Sequence, residues 1–181
     1  MKTPLLLATI IIFILASCTN EQRNLKKEID DLEKATFEDT SGVFLNENVT
    51  TLVEKYIAYA DQYPDAAEAP DYLFKAAEIS MNIGNHMQAI QLFDRFREQY
   101  PEEEKAPVAL FFKGFVYDDR LKDLPTAETI YDEFLQTYPD HELADDVQAM
   151  KQHLGKSDDE IIREFEQRLR EQEEDLSKQP I

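Results

Sequence analysis

Cysteine occurs once in this chain, at Cys18, and histidine three times, at His86, His141 and His153. These side chains are the ones best suited to nucleophilic or general-base work near neutral pH. Their spacing assembles no site. No histidine belongs to a His-Glu-x-x-His pattern or to any other recognisable ligand pair. His141 and Asp145 share a helix face at i, i+4, with Glu142 beside them, and read as solvated residues at a helix start rather than as metal ligands. Asp118-Asp119 offers two carboxylates to calcium, yet no glycine-bearing loop of the EF-hand type surrounds them, and a charged helix end is the simpler reading. There is no Gly-x-Ser-x-Gly, no phosphate-cradling glycine loop and no dinucleotide fingerprint. Carboxylate pairs are frequent only because Asp and Glu together number 38. The chain is therefore expected not to be an enzyme, and to require neither cofactor nor metal.

Cys18 owes its interest to what precedes it. Lys2 supplies one positive charge, and Leu5 through Leu15 is apolar but for Thr9. These residues would span roughly 16 Å as a helix, about half a bilayer's hydrocarbon core. That is too short for a transmembrane anchor and suits the apolar region of a secretion signal over residues 1–17. Leu15-Ala16-Ser17-Cys18 resembles a bacterial lipobox. The resemblance implies acylation of Cys18 and cleavage before it, leaving residues 18–181 tethered by their first residue. Two or three acyl chains, at about 0.8 kcal/mol per buried CH₂, hold a protein on a membrane almost irreversibly. An ordinary secretory signal with an incidental cysteine is the other reading. With Cys18 acylated, no thiol remains for disulfides, thiolate metal sites or catalysis.

The rest of the chain is acidic and helical in composition. Formal charge is −19, and −20 once Lys2 leaves with the signal. Such a surface repels phosphate backbones, so nucleic acid is not an expected partner. Four glycines, no tryptophan and abundant Ala, Leu, Glu, Lys and Gln favour helix over sheet. After residue 48 the apolar spacing follows the helical period, and alternating strand patterns are absent.

One pattern is written three times without gaps, over 51–64, 88–101 and 126–139, at periods of 37 and 38 residues. Each copy carries aromatics at i, i+3 and i+7, and the last of these precedes proline: Tyr56, Tyr59, Tyr63-Pro64; Phe93, Phe96, Tyr100-Pro101; Tyr131, Phe134, Tyr138-Pro139. That spacing puts the three rings on one helix face, and the proline ends the helix. Partner helices are predicted between the copies, over 70–83 and 107–120. The first buries Leu73, Ala76, Ala77 and Ser80; the second presents Leu110, Gly114 and Tyr117 in the same way. Gly84-Asn85 turns the chain, with Asn85 as N-cap. Ala77, Gly114, Ala89 and Ala127 are small where helices must approach closely. Residues 145–154 read as another first helix with Val147, Met150 and Leu154 inward, closed by Gly155. Ser157 and Glu160 form a capping box. A last helix over 158–175 carries Ile161, Ile162, Phe165 and Leu169 on one face, with Glu164–Arg168 and Glu166–Arg170 as supporting pairs. It reads as the polar cap of a helical array. Leu25, Ile29 and Leu32 form a short stripe over 21–36, and 37–47 and 177–181 read as loop and tail.

Ala77, Gly84, Ala89, Phe93 and Pro101, and again Gly114, Tyr117, Ala127, Tyr131 and Pro139, resemble the tetratricopeptide repeat at its own spacing. The resemblance implies an all-α, right-handed superhelical stack of helical hairpins: a signal at 1–17, an anchored segment with a short helix at 18–47, repeats at 48–155, a capping helix at 156–176 and a tail. First helices of such stacks line an inner groove. Helical phase then places Phe74, Glu78 and Met81 on that groove from one hairpin, and Phe111, Phe115, Asp118 and Asp119 from the next. The phenylalanines could equally pack against neighbouring hairpins. As a groove, the surface suits a peptide or helix with apolar anchors and basic flanks. The combination of lipobox and repeats is similar to the BamD-type lipoproteins that help assemble outer-membrane proteins. It implies a protein or peptide partner in a bacterial envelope. Thr19 in place of an Asp after Cys18 favours the outer membrane, with the periplasmic face ahead of the cell surface. Two other classes stay open: a cell-wall or division-associated binding protein, and a self-associating structural lipoprotein.

Overall fold

A computed structural model describes residues 3–37 and 47–177. Among them are eight α-helices and no strand: α1 (Thr3–Phe37), α2 (Glu47–Gln62), α3 (Ala69–Asn82), α4 (His86–Gln99), α5 (Ala106–Phe115), α6 (Leu124–Thr137), α7 (Ala144–His153) and α8 (Asp158–Ser177). From α1 to α7 consecutive helices pack on one another as stacked hairpins, so the fold is the all-α, tetratricopeptide-like solenoid that the repeats imply. Residues 38–46 and 178–181, read as loop and tail, lie outside the described residues.

The repeated aromatics build the core. Tyr56, Tyr59, Phe93, Phe96, Tyr131 and Phe134 are essentially inaccessible, and the third ring of each copy leans on the second at 5.3–5.7 Å between centroids. Proline forces the preceding tyrosine out of the helical region: Tyr100 and Tyr138 sit at φ −130 with ψ 56 and 54. Each copy then makes the same two turns. Ala66, Glu103 and His141 donate their amides back to the carbonyls of Tyr63, Tyr100 and Tyr138; Ala69, Ala106 and Ala144 donate in turn to those of Ala66, Glu103 and His141. The first helices therefore begin at an alanine, with Pro70 and Pro107 one position inside.

The hairpins are joined by a clamp that repeats with the fold. Lys113 of α5 reaches Asp94 of α4 at 2.7 Å, and 38 residues on Lys151 of α7 pairs with Asp132 of α6. Gly114 serves the close approach: a Cβ there would lie 2.7 Å from Cε1 of Tyr131. At the N-terminal end, Ile29 is fully buried, and Leu25 and Leu32 pack on the same core. The second half of α1 is thus the first helix of a hairpin with α2. The helix itself is longer than the 21–36 stripe, running unbroken from Thr3. No helix of the described residues is long and apolar enough to cross a membrane.

Three local expectations need correction. The helix predicted over 107–120 is regular only to Phe115; Val116–Arg120 form a π-helical turn, in which Leu121 N donates to Val116 O at 3.0 Å. Asn85 stands at the N-cap of α4, but its side chain makes no capping bond. In the next hairpin the N-cap Asp123 of α6 does cap with its side chain, accepting from Thr126 N at 3.3 Å and Thr126 Oγ1 at 2.7 Å. Finally, α8 forms with its Ser157–Glu160 capping box complete, yet its apolar face is not packed down. Ile162, Phe165 and Leu169 remain 55%, 57% and 44% exposed.

Candidate binding cleft

A cleft of about 520 Å³ opens near the predicted groove, where α1, α2 and α3 meet. Phe37, Tyr56 and Ile79 give it apolar walls, and Glu33, Lys75 and Glu78 line it with charge. Its floor follows from the repeat. Tyr56 stacks on Tyr72 at 5.1 Å, and Tyr59 meets Tyr72 edge-on at 4.9 Å. Lys75, one helical turn before Glu78, lies over both Tyr56 and Tyr72, 5.6 and 5.8 Å from their centroids.

Glu33 ties this floor to α1. Its Oε1 accepts from Lys75 Nζ at 2.7 Å and from the Tyr56 hydroxyl. Burial alone would raise the Glu33 carboxyl, but the two hydrogen bonds and the Lys75 charge outweigh it and hold the group below the usual carboxylate range. Glu78 is the opposite case. Burial pushes it up, only partly countered by the charges of Lys105 and Lys75, and its carboxylate has no hydrogen bond among the described residues. One carboxylate is satisfied from within the fold, while the other faces the cleft unmet. Phe37, at the end of α1, is 56% exposed beside them.

Of the seven residues predicted for the groove, only Glu78 lines this cleft. Phe74 is 3% exposed and belongs to the core, edge-on to Phe93 and Phe96 at 5.8 and 5.2 Å. Helical phase placed it correctly on α3, but Phe112 of the next hairpin covers it. Met81 is likewise buried in the core. Phe111 and Phe115 are partly buried, packing on the C-terminal and N-terminal halves of the core respectively, and Arg120 caps the Phe115 ring at 5.6 Å. The π turn separates the two aspartates. Asp118 Oδ2 accepts the hydroxyl of buried Tyr131 at 3.1 Å, a structural bond, while Asp119 faces outward to Arg120 and Lys122.

Glu33, Lys75, Tyr56 and Phe37 were not legible as site residues. Glu33 meets Lys75 across 42 positions, a relationship that no local spacing announces. Among the described residues no cluster of His, Cys, Asp and Glu is disposed to hold a metal ion.

No curated protein gives a significant match to this chain. The match that does emerge falls on the hairpin beneath the cleft: residues 71–103, which take in α4 and all but the first two residues of α3, fit the tetratricopeptide repeat family.

Proposed function

We propose that this protein is a lipid-anchored scaffold of a bacterial envelope whose α1–α3 cleft takes a segment of a protein partner. Tetratricopeptide repeats commonly mediate binding to proteins and peptides. The observation that carries the reading is the cleft's unmet chemistry, an exposed Phe37 beside a half-buried Glu78 that lacks a donor. A segment with one apolar anchor and one Lys, Arg or free backbone N–H supplies both needs. Phe111 and Phe115 on α5, and Asp119 on the turn after it, are a further contact surface in this proposal, with Phe74 and Asp118 bound into the fold beneath.

The anchor rests on Leu15-Ala16-Ser17-Cys18 and the short apolar run before it. Together with the repeats it supports a place at the outer membrane, on its periplasmic face, and a partner from outer-membrane protein assembly. Mass spectrometry of the protein purified from membranes tests the anchor: acylated Cys18 is expected as the first residue, and a Cys18→Ser chain that still partitions fully with membranes overturns it. Affinity purification from detergent-solubilised envelopes tests the partner and the cleft together. The wild type should bring down components of the assembly machinery, and Phe37→Asp or Glu78→Ala should lose them. Wall enzymes in their place, or recovery unchanged by both substitutions, would contradict this reading.

A further inference from the structure

The apolar face of α8 is independent of the cleft. We infer that Ile162, Phe165 and Leu169 form a second docking surface, for an amphipathic helix of a partner protein whose apolar ridge is flanked by Lys and Arg. The three side chains stand at i, i+3 and i+7, one stripe of a helix, and all are exposed. Local bonds order the start of the helix. Gly155, at φ +75 after Leu154 at φ −53 and ψ 123, makes a tight turn closed by Lys156 N to His153 O at 2.9 Å. Lys156 then pairs with Glu164 at 2.7 Å. Where α8 faces α7, the cleft between them is lined by Gln152, His153, Lys156, Glu164, Gln167 and Arg168, all polar, so the apolar stripe is turned away from the repeats.

Charge selects the occupant. Asp159, Glu166 and Glu173 recur at seven-residue intervals and run along one edge of the stripe, all exposed. Among the described residues, Glu166 alone of the three is ion-paired on its own helix, to Arg170 at 3.9 Å, and that contact is loose. The helix carries nine acids against three arginines, a net −6. A second copy of α8 would bring two such edges together, and anionic lipid headgroups would meet the same repulsion. A basic helix places its cations on those carboxylates and its apolar ridge on Phe165.

The test uses the full chain in detergent and two designed amphipathic peptides with the same leucine ridge, one flanked by lysines and one by glutamates. Fluorescence anisotropy should show the lysine peptide binding, more weakly as salt rises, and the glutamate peptide not binding. Phe165→Asp with Leu169→Asp should weaken binding about tenfold or more, as loss of central anchors does. Because both side chains are exposed, these substitutions should leave the thermal unfolding of the repeats unchanged. Phe37→Asp should leave peptide binding unchanged, which separates this surface from the cleft. Equal binding of both peptides, binding that survives the double substitution, or a sedimentation shift showing that α8 pairs with its own copy would each overturn the inference.

Discussion

Lys122 adopts at φ +56 the left-handed conformation that Gly84 adopts at φ +86, 38 positions earlier in the chain. The two residues turn equivalent hairpins. At Gly84 the turn is satisfied in the usual way, with Asn85 N bonded to Ser80 O at 2.8 Å and Gly84 N to Met81 O at 3.3 Å. At Lys122 the same turn follows one extra residue, which the first helix has absorbed as the π turn Val116–Arg120. This is why prolines 70 and 107 are 37 apart while Ala89 and Ala127 are 38 apart.

Lys122 therefore carries a backbone cost that glycine avoids. Lys122→Gly should stabilise the protein by about 0.5–1 kcal/mol, since left-handed conformation disfavours a side chain by more than glycine's extra unfolded-state entropy. Gly84→Ala, where a Cβ would meet nothing within 4 Å, should cost about 1 kcal/mol through the backbone alone. Urea midpoints measured for both variants check this pair. Destabilisation by Lys122→Gly would mean that the turn is not strained.

Gly114→Ala sets two effects against each other. Helix propensity gains about 1 kcal/mol. The new Cβ lies 2.7 Å from Tyr131 Cε1 and 3.2 Å from Ile130 Cγ2, and overpacking of this kind costs roughly 1–3 kcal/mol. Tyr131 cannot swing aside, being fully buried with its hydroxyl bonded to Asp118. The net should be destabilising, and equilibrium unfolding that shows a gain would refute the close approach. Phe93→Ala, which removes a ring touching both Phe74 and Phe112, should cost about 3–5 kcal/mol.

The Tyr131–Asp118 bond makes a prediction that charge alone does not. Asp118→Ala strands a buried hydroxyl and should cost about 1–3 kcal/mol, whereas Asp118→Asn keeps an acceptor and should cost less. Asp119→Asn, on an outward side chain, should leave the melting temperature unchanged. Thermal unfolding of the three variants separates the roles. Equal effects at 118 and 119 would return both aspartates to the surface.

The two cleft carboxylates should respond to pH with opposite sign. Glu33 has a folded pKa below its ordinary 4.5, so its contribution is complete above that value and is lost as pH falls below 4.5 through the lower folded value. Glu78 has a raised folded pKa, so its contribution is present at acidic pH and is lost as pH rises through the folded value. In urea midpoints against pH, Glu33→Gln should lower stability at neutral pH and flatten the acid limb. Glu78→Gln should raise stability at neutral pH. Loss of stability there in the Glu78 variant would show that its charge is already satisfied.

The core was legible because it is local and repeated. Aromatics at i, i+3 and i+7, a proline after the last, and a small residue at 77 and 114 specify helix, stop and close approach without knowledge of distant partners. The site was less legible because it is made between repeats. Phase placed Phe74 and Glu78 on one helix, but only the neighbouring hairpin decides that Phe112 buries the first and that the second stays open to the cleft. The extra residue of the 38-residue period was countable, but sequence does not say whether helix or loop absorbs it. The apolar stripe of α8 was legible as a stripe, and the polar cleft beside α7 that leaves it uncovered was not.

Occupancy of the cleft can be read by site-specific photo-cross-linking in growing cells, with the photoreactive residue placed at Asn82, exposed on the rim of the cleft, or at Gln91, exposed on α4 away from it. A scaffold that takes a partner segment between α1 and α3 should give a discrete protein adduct from position 82, lost with Phe37→Asp, and none from position 91. The same adducts from both positions, or none from position 82 at equal protein abundance, would contradict it.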